Sequence, residues 1–382
     1  MPRLPNLSVE VWEKILRHSM YVPDFLDPDA FEGILGIDAP LAFEVNRFMR
    51  DDEGEYWSVE KRRNILRLVC KSWNDYCNLP RFQHRFVRMT DIWQLHGIGK
   101  ASLKTAIRVK FSPTWAGCCR KYSRRRYDEF CIQTVASVGS MEMEIADFLY
   151  VDVDNLTLQN MKKVKAITSS VLYKSLPTIS REMQDLNHLR TNTFKSQSPL
   201  TPLRSSTLVS LSLSIKTVDE YNQYVWNFPS LRHLGIINRS RSSPLTFLDE
   251  VLIPILHMVG SRLQSLYVTA GSTKCDIPST IWNVCPILER IHAHVDMEAP
   301  PPRSHPLHTL SIPHSDILSI LSMDAPIFTW PNLRKVVTDT NWNQIGPTES
   351  QEFWIGTLEW TRLGISIEDI DGETLESFVQ ST

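Results

Sequence analysis

The sequence predicts an α+β protein: a small N-terminal helical module followed by a longer α/β solenoid of stacked strand-then-helix units. Three observations carry this. A chain of 382 residues exceeds one ordinary hydrophobic core. Apolar residues near the N-terminus recur at helical spacing. From about residue 145, short apolar strand phrases recur along the chain, and such repetition outranks local detail. The expected divisions are a helical module at 1–90 with an insertion at about 18–59, a connecting or first-repeat region at 91–144, degenerate repeats at 145–349 and a cap at 350–382.

Composition fits an ordinary folded chain, with 42% apolar and 22% charged residues. A formal net charge of -2 provides no overall field for nucleic acid or an anionic membrane, so neither is an expected partner. Seven cysteines without regular spacing, and no apolar segment after a basic start, predict a reducing intracellular setting, cytoplasm or nucleus. The most apolar stretch, 251–259, is about half of what a membrane span needs and contains Pro254 and His257.

In the N-terminal module, Leu7, Val11 and Ile15 lie four residues apart with Trp12 and Leu16 beside them, one apolar stripe with Ser8 placed to cap the helix. A second helix is expected over 60–77, presenting Ile65, Leu66, Val69, Trp73 and Cys77, and Pro80 follows its end. A short helix near 41–49 is expected inside the insertion. These residues resemble an F-box of the fungal type. The family's Leu-Pro-x-Glu-x-x-x-x-Ile-Leu opening corresponds to Leu7, Ser8, Glu10, Ile15 and Leu16, with serine in place of proline. Its Val-x-x-x-Trp and the proline seven residues later correspond to Val69, Trp73 and Pro80. The resemblance covers about a fifth of the chain. It implies docking on a Skp-type adaptor of cullin–RING ubiquitin ligases through Leu7, Glu10, Val11, Trp12, Ile15, Leu16, Leu66, Val69, Trp73 and Pro80.

The repeat phrases have the form Leu-x-x-Leu-x-Leu. They begin at Leu208, Leu231, Leu263, Leu288, Leu307 and Leu333, with gaps of 23, 32, 25, 19 and 26 residues. Earlier phrases are expected near 107–111, 148–153 and 186–189, and helix-like runs at 247–259, 280–285 and 316–323. The pattern resembles a degenerate leucine-rich repeat, in which one unit cannot bury its own apolar face and neighbours must stack. The first, fourth and sixth residues of a phrase should point inward. The residues between them would then lie on an exposed polar sheet face where a client protein is held. Ser210, His233, Tyr267, Arg290, His292, His294 and Lys335 are the client-contact candidates, and this partly basic set suits an acidic or phosphorylated peptide.

No phosphate loop, nucleophile elbow or zinc helix occurs, so the expectation is a non-catalytic adaptor without cofactor or metal. Cys118, Cys119 and Cys131, or Cys275, Cys285 and His292, match no zinc spacing. Asp369, Asp371 and Gly372 suggest a plain turn, since the other ligands of a calcium loop are missing. The expected function is the substrate-recognition subunit of an SCF-type ubiquitin ligase. The alternative is a repeat scaffold without a ligase role.

Overall fold

The computed structural model describes residues 8–20, 53–79, 82, 86–89, 108–111, 145–148, 166–169, 185–191, 203–215, 225–238, 244–269, 278–293, 300–312, 330–338, 342, 351–369, 373–374 and 377–378. The expected helices at 41–49 and 316–323 and the candidates Leu7, Pro80 and His294 lie outside this set.

Among the described residues, the first elements are three helices: α1 (Val9–Ser19), α2 (Glu53–Leu66) and α3 (Lys71–Cys77). The single helix expected over 60–77 is therefore two, and it starts earlier. The break falls where Leu68 N and Val69 N donate to the carbonyls of Ile65 and Leu66, a tightened turn, and Cys70 becomes fully extended with φ -161°. Turning the chain there lets Trp73 meet Trp12 of α1, ring centroids 5.1 Å apart, and carries Tyr76 and Cys77 into the interior.

The rest is α/β. Twelve parallel strands form one open sheet, in the order β1 (Phe86–Met89), β2 (Arg108–Phe111), β3 (Ile145–Phe148), β4 (Ala166–Ser169), β5 (His188–Thr191), β7 (Ser210–Ile215), β9 (His233–Asn238), β10 (Ser265–Thr269), β11 (Arg290–Ala293), β12 (Thr309–Ile312), β13 (Lys335–Thr338) and β14 (Ser366–Glu368). Short strands β6 (Leu203–Arg204) and β8 (Trp226–Asn227) pair separately. All six clear phrases become strands. Of the earlier ones, 107–111 holds β2, while β3 precedes most of 148–153 and β5 begins two residues after 186. Strand β4 was not expected from the sequence. Nor was β14, which adds the expected terminal cap to the sheet as a further strand.

Apolar periodicity accounts for the in-register stacking. Leu189, Leu211, Leu234, Leu266, Ile291, Leu310, Val336 and Ile367 lie in one row across eight strands, all buried. Leu186, Leu208, Leu231, Leu263, Leu288, Leu307, Leu333 and Ile365 repeat this just before each strand. A slip of one residue would turn a whole row of leucines onto the polar face, which fixes the register.

Parallel neighbours need crossovers. Those described contain α4 (Pro244–Phe247), a π-helical turn (Leu248–Leu252) and α5 (Ile253–Val259) before β10, α6 (Ile281–Val284) before β11, and α7 (Gln351–Arg362) before β14. Glycine at 260 permits the approach of α5 to α6, since a Cβ there would lie 2.8 Å from both Val284 O and Cys285 Sγ.

Candidate functional site

The helical module has one small core: Leu16, Met20, Tyr56, Val59, Tyr76, Cys77, Phe82 and Phe86, with Leu66 and Trp73 packed against it. Phe86 belongs to β1, and its ring lies 5.4 Å from Tyr56 and 6.2 Å from Trp57. Sheet and module are thus joined through shared packing. Polar contacts fasten the helices. Buried Arg63 donates from Nη1 to Cys77 O at 3.0 Å and from Nη2 to Glu60 Oε2 at 2.7 Å, linking α2 to α3. Tyr76 Oη donates to Glu13 O at 3.1 Å, linking α3 to α1. Burial pushes the Cys77 thiol up, against the pull of Arg63 and Arg67.

Once this core is filled, several large apolar side chains remain outside it. Val11 is 40% exposed, Ile15 41%, Val69 45% and Leu68 86%, with Val9 and Ile65 also exposed. Of the sequence-expected docking residues, Val11, Ile15 and Val69 are available at the surface, and Trp12, Leu66 and Trp73 are half-buried. Leu16 is a correction: it is buried, so it holds the module together and offers nothing to a partner. Ser8 takes the N-cap position of α1 without a side-chain cap bond. Its hydroxyl instead engages Glu10, holding that exposed carboxyl below its usual range.

The second candidate site, the polar sheet face, differs from expectation in exposure. Ser210, His233, Ser265, Arg290, Thr309 and Lys335 align in one row, and all six are buried, His233 at 1% and Arg290 at 3%. His292 is buried too. Parallel strands about 4.8 Å apart press such side chains together, and they satisfy one another laterally. His233 Nδ1 bonds Ser265 Oγ, and His292 Nδ1 bonds Ser311 Oγ at 2.8 Å. Lys335 Nζ pairs with Glu368 Oε1 at 3.0 Å. Burial first, then the positive charge of His188, Arg290 and Arg232, pushes His233 down to about 3, so its ring is neutral near pH 7. Of the client candidates within the described residues, Tyr267 alone stays half-exposed, stacked on His292 with centroids 4.4 Å apart. Arg190 is half-exposed in the same row as Tyr267, a position the sequence reading missed because the β5 phrase is short and lacks a third apolar residue.

Cys285 is buried beside Gly260 and its thiol is pushed up to about 12, a packing residue rather than a ligand. Asp369 accepts from Trp342 N at 3.2 Å and Glu373 N at 2.9 Å, which makes it the clamp of a turn. Among the described residues no three His, Cys, Asp or Glu side chains converge as metal ligands, and no helix is long and apolar enough to cross a membrane. No family model matches the chain, and neither a curated protein nor a solved structure matches it.

Proposed function

We propose that the chain is an F-box-type adaptor: its helical module docks on a Skp-type partner of a cullin–RING ligase, and the sheet region, read as a degenerate leucine-rich-repeat solenoid, holds a client. The observation that carries this reading is the apolar surface left on a module whose own core is already closed, at Val11, Ile15, Leu68 and Val69. Burying a fully exposed side chain of this kind contributes about 1.5–3 kcal/mol, and these four start 40–86% exposed, so together they supply roughly 3–6 kcal/mol. That reaches the lower end of an association cost of roughly 4–15 kcal/mol, and further contacts would supply the rest. The match of Glu10, Ile15, Leu16, Val69 and Trp73 to the F-box pattern supports the same reading from the sequence side.

In this role the chain performs no bond chemistry. It raises the local concentration of client lysines at a ubiquitin-conjugating enzyme, which is catalysis by proximity. The shared packing of Phe86 with Tyr56 supports transmission of a fixed orientation from docking module to sheet.

The test is co-purification with a Skp-type adaptor. The parent protein is expected to capture it, and Ile15→Asp with Val69→Asp to lose capture while keeping the fold, because both side chains are exposed. A parent protein that captures no adaptor ends the ligase reading and leaves the scaffold alternative.

A further inference from the structure

Each exposed apolar stretch of the helical module has a lysine beside it. On α1, Lys14 is three residues after Val11 and next to Ile15. On α2, Lys61 is four residues before Ile65, a spacing that puts both on one helix face. Lys71 opens α3, two residues after Val69. The three lysines are exposed, and so are the apolar side chains they flank.

These ammonium groups are uncommitted. Among the described residues none of the three has a carboxylate partner, although Glu10 and Asp75 stand four residues from Lys14 and Lys71, where a helix would allow a pair. Arg62 and Arg67 bond only neutral oxygens, those of Ser19, Asn64 and Asn74. Around the apolar surface, exposed or half-exposed Lys14, Arg17, Lys61, Arg62, Arg67 and Lys71 are set against Glu10, Glu13 and Asp75, while buried Arg63 is neutralised by Glu60. Glu53 and Glu55 belong to the first turn of α2, the end away from Ile65. The formal net charge of the chain is -2, so this positive excess is local. Helix dipoles favour cations at C-terminal ends and account for Arg17 and Arg67. They do not account for Lys71, which sits in the first turn of α3, or for Lys14 and Lys61, which lie away from the helix ends.

We propose that the apolar face of the helical module is a docking surface for an acidic protein, whose own apolar groove is rimmed by carboxylates that meet Lys14, Lys61 and Lys71. The apolar contacts supply the grip, and the lysines speed the encounter, fix its orientation and reject basic partners. A nucleic acid would answer the lysines with phosphates and leave Ile65, Leu68 and Val69 in water. An anionic bilayer is best gripped by aromatic side chains on the apolar face, and here Trp12 and Trp73 are half-buried against each other. The inference rests on the docking reading and adds to it the charge that the partner must carry.

Two probes separate the two. The first is a synthetic amphipathic helical peptide, leucine on one face and glutamate, glutamine or lysine on the other, titrated against the full chain by fluorescence anisotropy. At low salt the glutamate peptide should bind at least about tenfold tighter than the glutamine one, and the margin should shrink as salt screens the exposed charges. The triple variant Lys14→Glu, Lys61→Glu, Lys71→Glu should transfer the preference to the lysine peptide, and the milder Lys14→Gln, Lys61→Gln, Lys71→Gln should remove it with the melting temperature unchanged. Equal binding of the three peptides, no binding, a glutamate preference that survives both variants, or tighter binding of duplex DNA or of phosphatidylserine vesicles would overturn the proposal. The second probe is a Skp-type adaptor, whose association with the glutamine variant should be slower than with the parent at low salt and alike at high salt. Adaptor association at one rate for parent and variant sinks the lysine rim and spares the ligase reading. A glutamate preference without adaptor capture sinks the ligase reading and leaves the acidic partner standing.

Discussion

Arg63 shows how much a single residue can hold in a small module. Its guanidinium spans Glu60 on its own helix and the Cys77 carbonyl at the end of α3, and it is buried while doing so. Arg63→Ala should cost about 1–3 kcal/mol in urea denaturation, because the Cys77 carbonyl loses its charged donor. His233 carries a pH signature. Its pKa is depressed in the folded protein to about 3, so the stability it contributes is fully present above the ordinary histidine value near 6.5. That stability is lost as pH falls from about 6.5 toward 3. The melting temperature of the parent should fall through that window, and His233→Asn should flatten this dependence. An unchanged acid slope in the variant would remove His233 as its source.

At the scale of elements, Gly260 reverses the usual propensity rule. Alanine normally favours helix over glycine, yet here its Cβ would press on the Val284 carbonyl and the Cys285 sulfur at 2.8 Å. Gly260→Ala should therefore destabilise by about 1–3 kcal/mol, measured by chemical denaturation, because backbone must move. Leucines three and five residues apart made the six main strands legible, since that spacing has one physical solution in a stacked parallel sheet. Strand β4 was not legible, because Ala166 and Ile167 offer too little apolar signal. The break between α2 and α3 escaped as well: Leu66, Val69 and Trp73 satisfy helical spacing across a turn that tertiary packing of Trp73 on Trp12 selects. Burial of the polar row was misread for a related reason. Alternation tells which face a side chain takes, but not whether side chains of one row on adjacent strands close against one another, as His233 and Ser265 do.

For the whole molecule, the open sheet meets a different neighbour at each end. The first strand packs on the helical module through Phe86 and Tyr56, and at the last strand Glu368 is bridged by Thr374. Free strand edges invite unwanted pairing, and both contacts work against it. Phe86→Ala should cost about 3–5 kcal/mol and loosen the module from the sheet. Proteolysis should then release the first ninety residues or so faster than in the parent. The apolar surface of that module has no such contact within its own core, and the functional account depends on it. The most direct measurement is capture of a Skp-type adaptor by the parent chain and by the Ile15→Asp, Val69→Asp variant at matched melting temperature. The account predicts capture by the parent and none by the variant. Equal capture by both, or none by the parent, would contradict it.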